Sequence, residues 1–249
     1  MTQNPSRQTI GEIVAEDYRS AAVFERYGLD FCCGGKQTLD EACRARGVDA
    51  ARVTADLKAI DGSAPDASLR VTDWPLDALI DHIVIRHHRY VRGALPVLIA
   101  HTAKIARVHG DRRPELLEVA RLVEEIAHEM TQHMVKEEEI LFPYVRGLVE
   151  ADRAGDPIGP SPFGTVQNPI RMMEREHEMT GDAVSRIREL TDAYQPPETA
   201  CTTYRVCFQE LQQFERDLHR HVHLENHVLF PGAQRLEERL AGLGQTGGR

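Results

Sequence analysis

No stretch of this sequence alternates apolar and polar residues with the period of two that a half-buried strand requires. A sheet is therefore not expected, and the periodic segments must be helices. No apolar run approaches the roughly 18 residues of a membrane span. Basic residues are in deficit. Against 39 Asp+Glu there are 30 Lys+Arg, a formal net charge of −9, which excludes the basic face that a nucleic-acid backbone demands. The segment Met1 to Gly11 is polar and has neither the apolar run nor the small-residue cleavage site of a secretion leader. Five cysteines form an odd set with no repeating framework, and Cys32 and Cys33 are adjacent. Reduced thiols and a cytoplasmic location are the expectation, with neither membrane nor nucleic acid as partner.

What the chain does have is histidine, 12 in all, set on a regular plan. A small helical region is expected over residues 1–62. Ile10, Ile13, Val14 and Tyr18 recur at helical spacing, and Asp30-Phe31-Cys32-Cys33-Gly34-Gly35-Lys36 breaks the pattern as a turn. Residues 63–72 are polar, with Gly62 just before them and Pro65 within, and read as a linker. Residues 73–241 read as four long amphipathic helices: about 72–108, 111–150, 168–194 and 198–240. Pro96 is expected to kink the first, Pro143 and Pro231 to interrupt the second and fourth, and Asn168 with Pro169 to cap the third. Mostly short connections make this an all-α, up-down four-helix bundle behind a small N-terminal helical domain.

One motif occurs twice. His133-x-x-x-Glu137-x-x-x-Leu141-Phe142-Pro143 returns 88 residues further on as His221-x-x-x-Glu225-x-x-x-Leu229-Phe230-Pro231. His88 and His177 precede the two motif histidines by nearly equal stretches. A residue four places along a helix lies about 40° around and about 6 Å up, so each His and its Glu share a face. All six residues interrupt apolar stripes. Two carboxylates and four imidazoles are costly to bury alone and become acceptable together around cations. Imidazole and carboxylate suit iron, zinc or manganese, and two glutamates able to bridge favour a pair of ions over one. The spacing differs from the zinc-protease His-Glu-x-x-His, because His128-Glu129-x-x-x-His133 has one residue too many.

These stretches resemble a known family. The bundle is similar to hemerythrin-like di-iron domains. Asp30 to Leu39, His133 to Pro143, His221 to Pro231 and the shorter Pro197 to Thr203 together resemble the iron–sulfur cluster repair di-iron proteins. The resemblance implies two iron ions, bridged by oxide or hydroxide, on His88, His133, Glu137, His177, His221 and Glu225, with both glutamates shared. It implies a role in restoring iron–sulfur proteins after nitrosative or oxidative damage, by nitric oxide binding or reduction or by iron donation. The alternative is a hemerythrin-like carrier or sensor of oxygen or nitric oxide. His88 aligns with the family ligand and His87 beside it becomes a supporting group, since only one of the two is expected to point fully inward. Glu129 and Glu176 are candidates for acids or proton carriers beside the ligands. Cys32 and Cys33, flanked by Gly34-Gly35 and Lys36, are expected as exposed thiols of depressed pKa, suited to redox exchange, nitrosyl transfer or transient iron binding. Cys43, Cys201 and Cys207 are expected to be structural.

Overall fold

A computed structural model describes residues 8–60, 71–159 and 161–246. Most of the expected linker falls on 61–70, outside the described residues. Among the described residues the regular structure is all helical, and the only strand-like pairing is an isolated bridge between Thr9 and Thr38. By its packing the chain divides into two compact units. One comprises residues 81–147 and 161–218, the other 1–80, 148–160 and 219–249.

The first unit is the bundle of long helices. It holds α6 (Arg89–His109), α7 (Glu115–Lys136), α9 (Gln167–Leu190) and α10 (Thr202–Leu224) as far as Leu218. α7 packs between α6 and α9. α10 is tied to α6 by His101 Nδ1 and Glu210 at 2.6 Å, and to α9 by Arg188 and Glu215 at 2.6 Å. Short loops at Gly110–Pro114 and 191–201 force neighbouring helices to run antiparallel. Leu95, Leu98, Val119, Ile126, Met130, Ile170, Val184, Phe208 and Leu211 fill the interior. Each such side chain removed from water contributes about 1.5–3 kcal/mol. α9 begins one residue before the expected cap, with Val166 at the N-cap, and Asn168 donates instead to the carbonyl of Phe163 at 2.8 Å.

The second unit contains α1 (Ile10–Glu16), α2 (Ala21–Tyr27), α3 (Leu39–Arg46) and α4 (Ala50–Ala59). It also takes in most of α5 (Leu76–His82), the end of α8 (Phe142–Ala154), the last turn of α10, and α11 (Phe230–Thr246). α1 and α3 each start on a capping box, Thr9 with Glu12 and Thr38 with Glu41. Asp17 ends α1, and the 3₁₀ turn Tyr18–Ser20 turns the chain into α2, so the expected single segment is two helices. Ile10, Val14, Phe24, Phe31, Leu39 and Val53 are its core.

Three π-turns interrupt the α-helical ladder: Ile83–His88, Glu137–Leu141 and Glu225–Leu229. In each the closing N–H reaches five residues back: Arg89 to Val84, Phe142 to Glu137, and Phe230 to Glu225. Pro143 and Pro231, expected to interrupt their helices, instead stand two residues past the ends of the last two turns, with the helix continuing through them. Proline has no N–H to give. Shifting the ladder from i−4 to i−5 carries the helix across the missing donor. α6 likewise runs on through Pro96. Three of the candidate metal ligands, His88, Glu137 and Glu225, lie at the ends of these π-turns, as such turns often do at functional sites.

Candidate metal centre

In the bundle unit, His133 and Glu137 close α7 one above the other, His88 ends the first π-turn, and His177 lies midway along α9. All four are buried, Glu137 completely. Oε2 of Glu137 lies 3.3 Å from Nε2 of His88 and 3.3 Å from Nε2 of His133, so one carboxylate stands between two imidazoles. Nε2 of His177 approaches Nε2 of His133 to 3.0 Å, and donor atoms of His133, Glu137 and His177 all lie within 4.8 Å of one another.

The opposite edges of these rings fix their protonation. Nδ1 of His88 meets Glu138 at 2.6 Å, and Glu138 is held by Arg92 at 2.9 Å. Nδ1 of His133 meets Glu176 at 2.9 Å, and Glu176 is held by Lys136. Burial pushes the Glu138 carboxyl up, but Arg92 and His88 outweigh it and hold it below the ordinary value. The hydrogen bond from His133 chiefly, with Lys136 behind it, pulls the Glu176 carboxyl down to about 2 against the resistance of burial. An ionised carboxylate only accepts, so Nδ1 of each histidine donates outward, and in the neutral imidazole that a metal binds Nε2 keeps its lone pair. That lone pair faces the Glu137 carboxylate. Electron-rich atoms opposed at this distance in a dry interior repel, and a cation between them turns the repulsion into ligation. The donor set therefore fits a divalent metal.

In the other unit, Nε2 of His221 lies 2.9 Å from Oε1 of Glu225, both fully buried. The π-turn that Glu225 opens packs on α1. Asn226 and His227, the next two residues, reach the carbonyl of Cys32 at 3.4 and 2.9 Å. His223 is buried against Phe31, and burial, then the neighbouring His227, lowers its pKa to about 3, so it is neutral. The cysteine loop is wound around Asp30. Its Oδ1 accepts from the backbone N–H of Cys32 and of Cys33 and from the Cys32 thiol, each at 3.0 Å, and its Oδ2 accepts from Gly34 N–H at 3.0 Å.

Several expectations change. Cys32 is buried, and the hydrogen bond to Cys33, then burial and the Asp30 charge, push its thiol well above the ordinary range. It is not the exposed, acidic thiol expected; Cys33 is the partly exposed member of the pair. Cys43 and Cys207 are buried, but Cys201 is exposed, with Sγ 3.6 Å from Nε2 of His109. His87 and His88 are both buried, at 1% and 0% exposure. The π-turn lets adjacent side chains leave in two inward directions, and His87 turns to Asp217 at 3.1 Å. Glu129 faces solvent, because the helix gives its neighbour Met130 the interior. The position beside His133 belongs to Glu176 from α9. Glu138, Arg92, Lys136 and Asp30 were not anticipated. Glu138 is hidden in the run Glu137-Glu138-Glu139, where only the turn geometry tells the three apart.

Comparison with known proteins matches residues 79–233 to the hemerythrin HHE cation binding domain and residues 6–61 to ScdA_N, described as a domain of unknown function. Proteins named iron-sulfur cluster repair protein YtfE are similar along almost their whole length. That of Enterobacter sp. (strain 638) is 35% identical over 91% of this chain and 96% of its own. That of Musicola paradisiaca (strain Ech703) is 37% identical over 92% and 97%, and that of Yersinia pseudotuberculosis serotype O:1b is 36% identical over 92% and 98%.

Proposed function

Because this chain belongs to the family of hemerythrin-like di-iron proteins named for iron–sulfur cluster repair, we propose that it helps restore damaged iron–sulfur clusters during nitrosative and oxidative stress. In this reading the iron ligands would be His88, His133, Glu137 and His177 of the bundle unit and His221 and Glu225 of the other, the set the family resemblance implies. The observation that carries the reading is the buried Glu137 carboxylate between two imidazole Nε2 atoms whose other edges donate to ionised acids. The duplicated His-x-x-x-Glu, with its second copy equally buried, supports a two-ion count. Iron bound there supplies reducing chemistry toward a small diatomic ligand such as nitric oxide, or a store from which one ion is given up.

The side chains have separate tasks. The imidazoles bring four neutral donors, and the two glutamates bring the negative charge that offsets the cations. Glu138 and Glu176 keep His88 and His133 in the metal-binding tautomer, and Arg92 and Lys136 keep those acids ionised and in place. The Cys32–Cys33 loop is the contact to clients, which are iron–sulfur proteins. Cys33 is its accessible thiol, and Cys32 holds a proton in reserve on Asp30. Among the described residues no helix is long and apolar enough to cross a membrane.

The test is anaerobic. Iron-loaded, reduced protein is mixed with nitric oxide and the headspace analysed, and iron transfer to a cluster-free client is followed in parallel. Nitrous oxide at near-stoichiometric yield assigns reduction. Iron transfer with cluster recovery assigns donation. A stable nitrosyl adduct with neither product leaves the carrier or sensor alternative and overturns a repair role.

A further inference from the structure

We propose that His227 is a positioning residue that links the Cys32–Cys33 loop to Glu225, so that the state of the thiol loop and the hold on iron depend on one another. This rests on the reading of Glu225 as an iron ligand.

Nε2 of His227 reaches the carbonyl of Cys32 at 2.9 Å. A carbonyl only accepts, so Nε2 carries the proton. The ring lies in a slot that only glycine permits. A Cβ on Gly11 would come within 2.5 Å of the imidazole, and one on Gly35 within 2.3 Å. The slot is closed behind it by the hydrogen bond from Gly11 N–H to the Gly35 carbonyl at 2.9 Å. One face of the ring stacks on His223, with centroids 5.1 Å apart. Asn226 adds a second, longer bond to the same Cys32 carbonyl at 3.4 Å.

Glu225, Asn226 and His227 are consecutive residues of one π-turn, whose bonding is less regular than that of an α-helix. Fixing the outer side of such a turn fixes where its first residue, Glu225, can point. On the other side, the Cys32 carbonyl that His227 holds belongs to the residue whose thiol and N–H are gathered on Asp30. The loop cannot open without losing the His227 bond, and His227 cannot leave the slot without releasing the π-turn. Coupling of this kind is reciprocal: whatever iron does to the loop, the loop does to iron by the same factor.

The experiment measures alkylation of Cys32 and Cys33 by iodoacetamide, residue by residue in peptide mass spectra, on iron-loaded and iron-free protein. Release of iron to a ferrous chelator is timed on the same samples. Wild type is compared with His227→Ala, with His227→Gln, which keeps a side-chain N–H of similar reach, and with Gly11→Ala, which fills the slot. In wild type, removing iron should speed Cys32 alkylation several-fold. In His227→Ala, Cys32 should react about tenfold faster, the size of one lost hydrogen bond, with or without iron, and iron should leave about tenfold faster. Gly11→Ala should behave like His227→Ala, and His227→Gln should recover most of both effects. Wild-type alkylation and iron release in His227→Ala would overturn the link, as would fast alkylation with unchanged iron release. A wild-type protein that binds no iron overturns the reading of the centre itself, and the link with it.

Discussion

The two copies of His-x-x-x-Glu-x-x-x-Leu-Phe-Pro are built alike and attached differently. Both place histidine and glutamate one turn apart, both open a π-turn at the glutamate, and both carry the helix on through a proline. The difference that sets their attachments lies just after the glutamate. After Glu137 comes Glu138, an acid paired with the candidate ligand His88. After Glu225 comes Asn226, and then His227 where the first copy has Glu139. Both reach the carbonyl of the cysteine loop. The duplicated positions supply the candidate ligands. The variable positions inside the motif decide what each turn is fastened to: the first is tied to His88, and the second holds a thiol loop.

Removing the carboxylate of either motif is expected to have the largest effect. Glu137→Ala and Glu225→Ala should each cost most of the bound iron, read as metal per chain after growth in iron-supplied medium. Full iron retention in either variant, or zinc in place of iron in wild type, would sink the site as drawn. Next comes the support of the first copy. Glu176→Ala and Glu138→Ala should lower iron affinity about 10–100-fold, because His133 and His88 lose the acid that sets their tautomer. Competition against a ferrous chelator measures it, and an affinity within a factor of two of wild type would show that these acids are ornamental. Making the second copy resemble the first is a sharper probe. Asn226→Glu sets a carboxylate against the Cys32 carbonyl, two acceptors with no hydrogen between them. It should cost about 1–3 kcal/mol of unfolding free energy in denaturant titrations of the iron-free protein. The smallest effect is expected at Glu129. Glu129→Ala removes a solvated charge and should stay within about 0.5 kcal/mol in stability, with iron content unchanged. A loss of iron there would return Glu129 to the site.

Much of the centre is legible in the sequence because burial forces polar residues into regular positions. A histidine or glutamate at helical spacing on an apolar stripe has nowhere to point but inward, and repetition makes coincidence implausible. The same logic failed where the helix departs from 3.6 residues per turn. His87 and His88 were expected to exclude one another, yet the π-turn buries both. Glu129 is a separate case: it stands one turn before His133 in the regular helix α7, but its neighbour Met130 takes the inward position and leaves it exposed. Cys32 looked like an exposed thiol because glycines and a lysine surround it. Its burial depends on Phe31 packing against His219 and His223, residues nearly two hundred positions away.

The sequence by itself determined that this protein is helical, that its helices carry four imidazoles and two carboxylates inward, and to which family it is similar. Those follow from periodicity and from the cost of burying charge, both local properties of the chain. Only the tertiary structure decided which acid sets the tautomer of each histidine, which cysteine is shielded, and that His227 fills a slot between Gly11 and Gly35. Such pairings are made across long loops by side chains that meet at hydrogen-bond distance. Helical spacing fixes the direction in which a residue leaves its own helix, but not what it finds there.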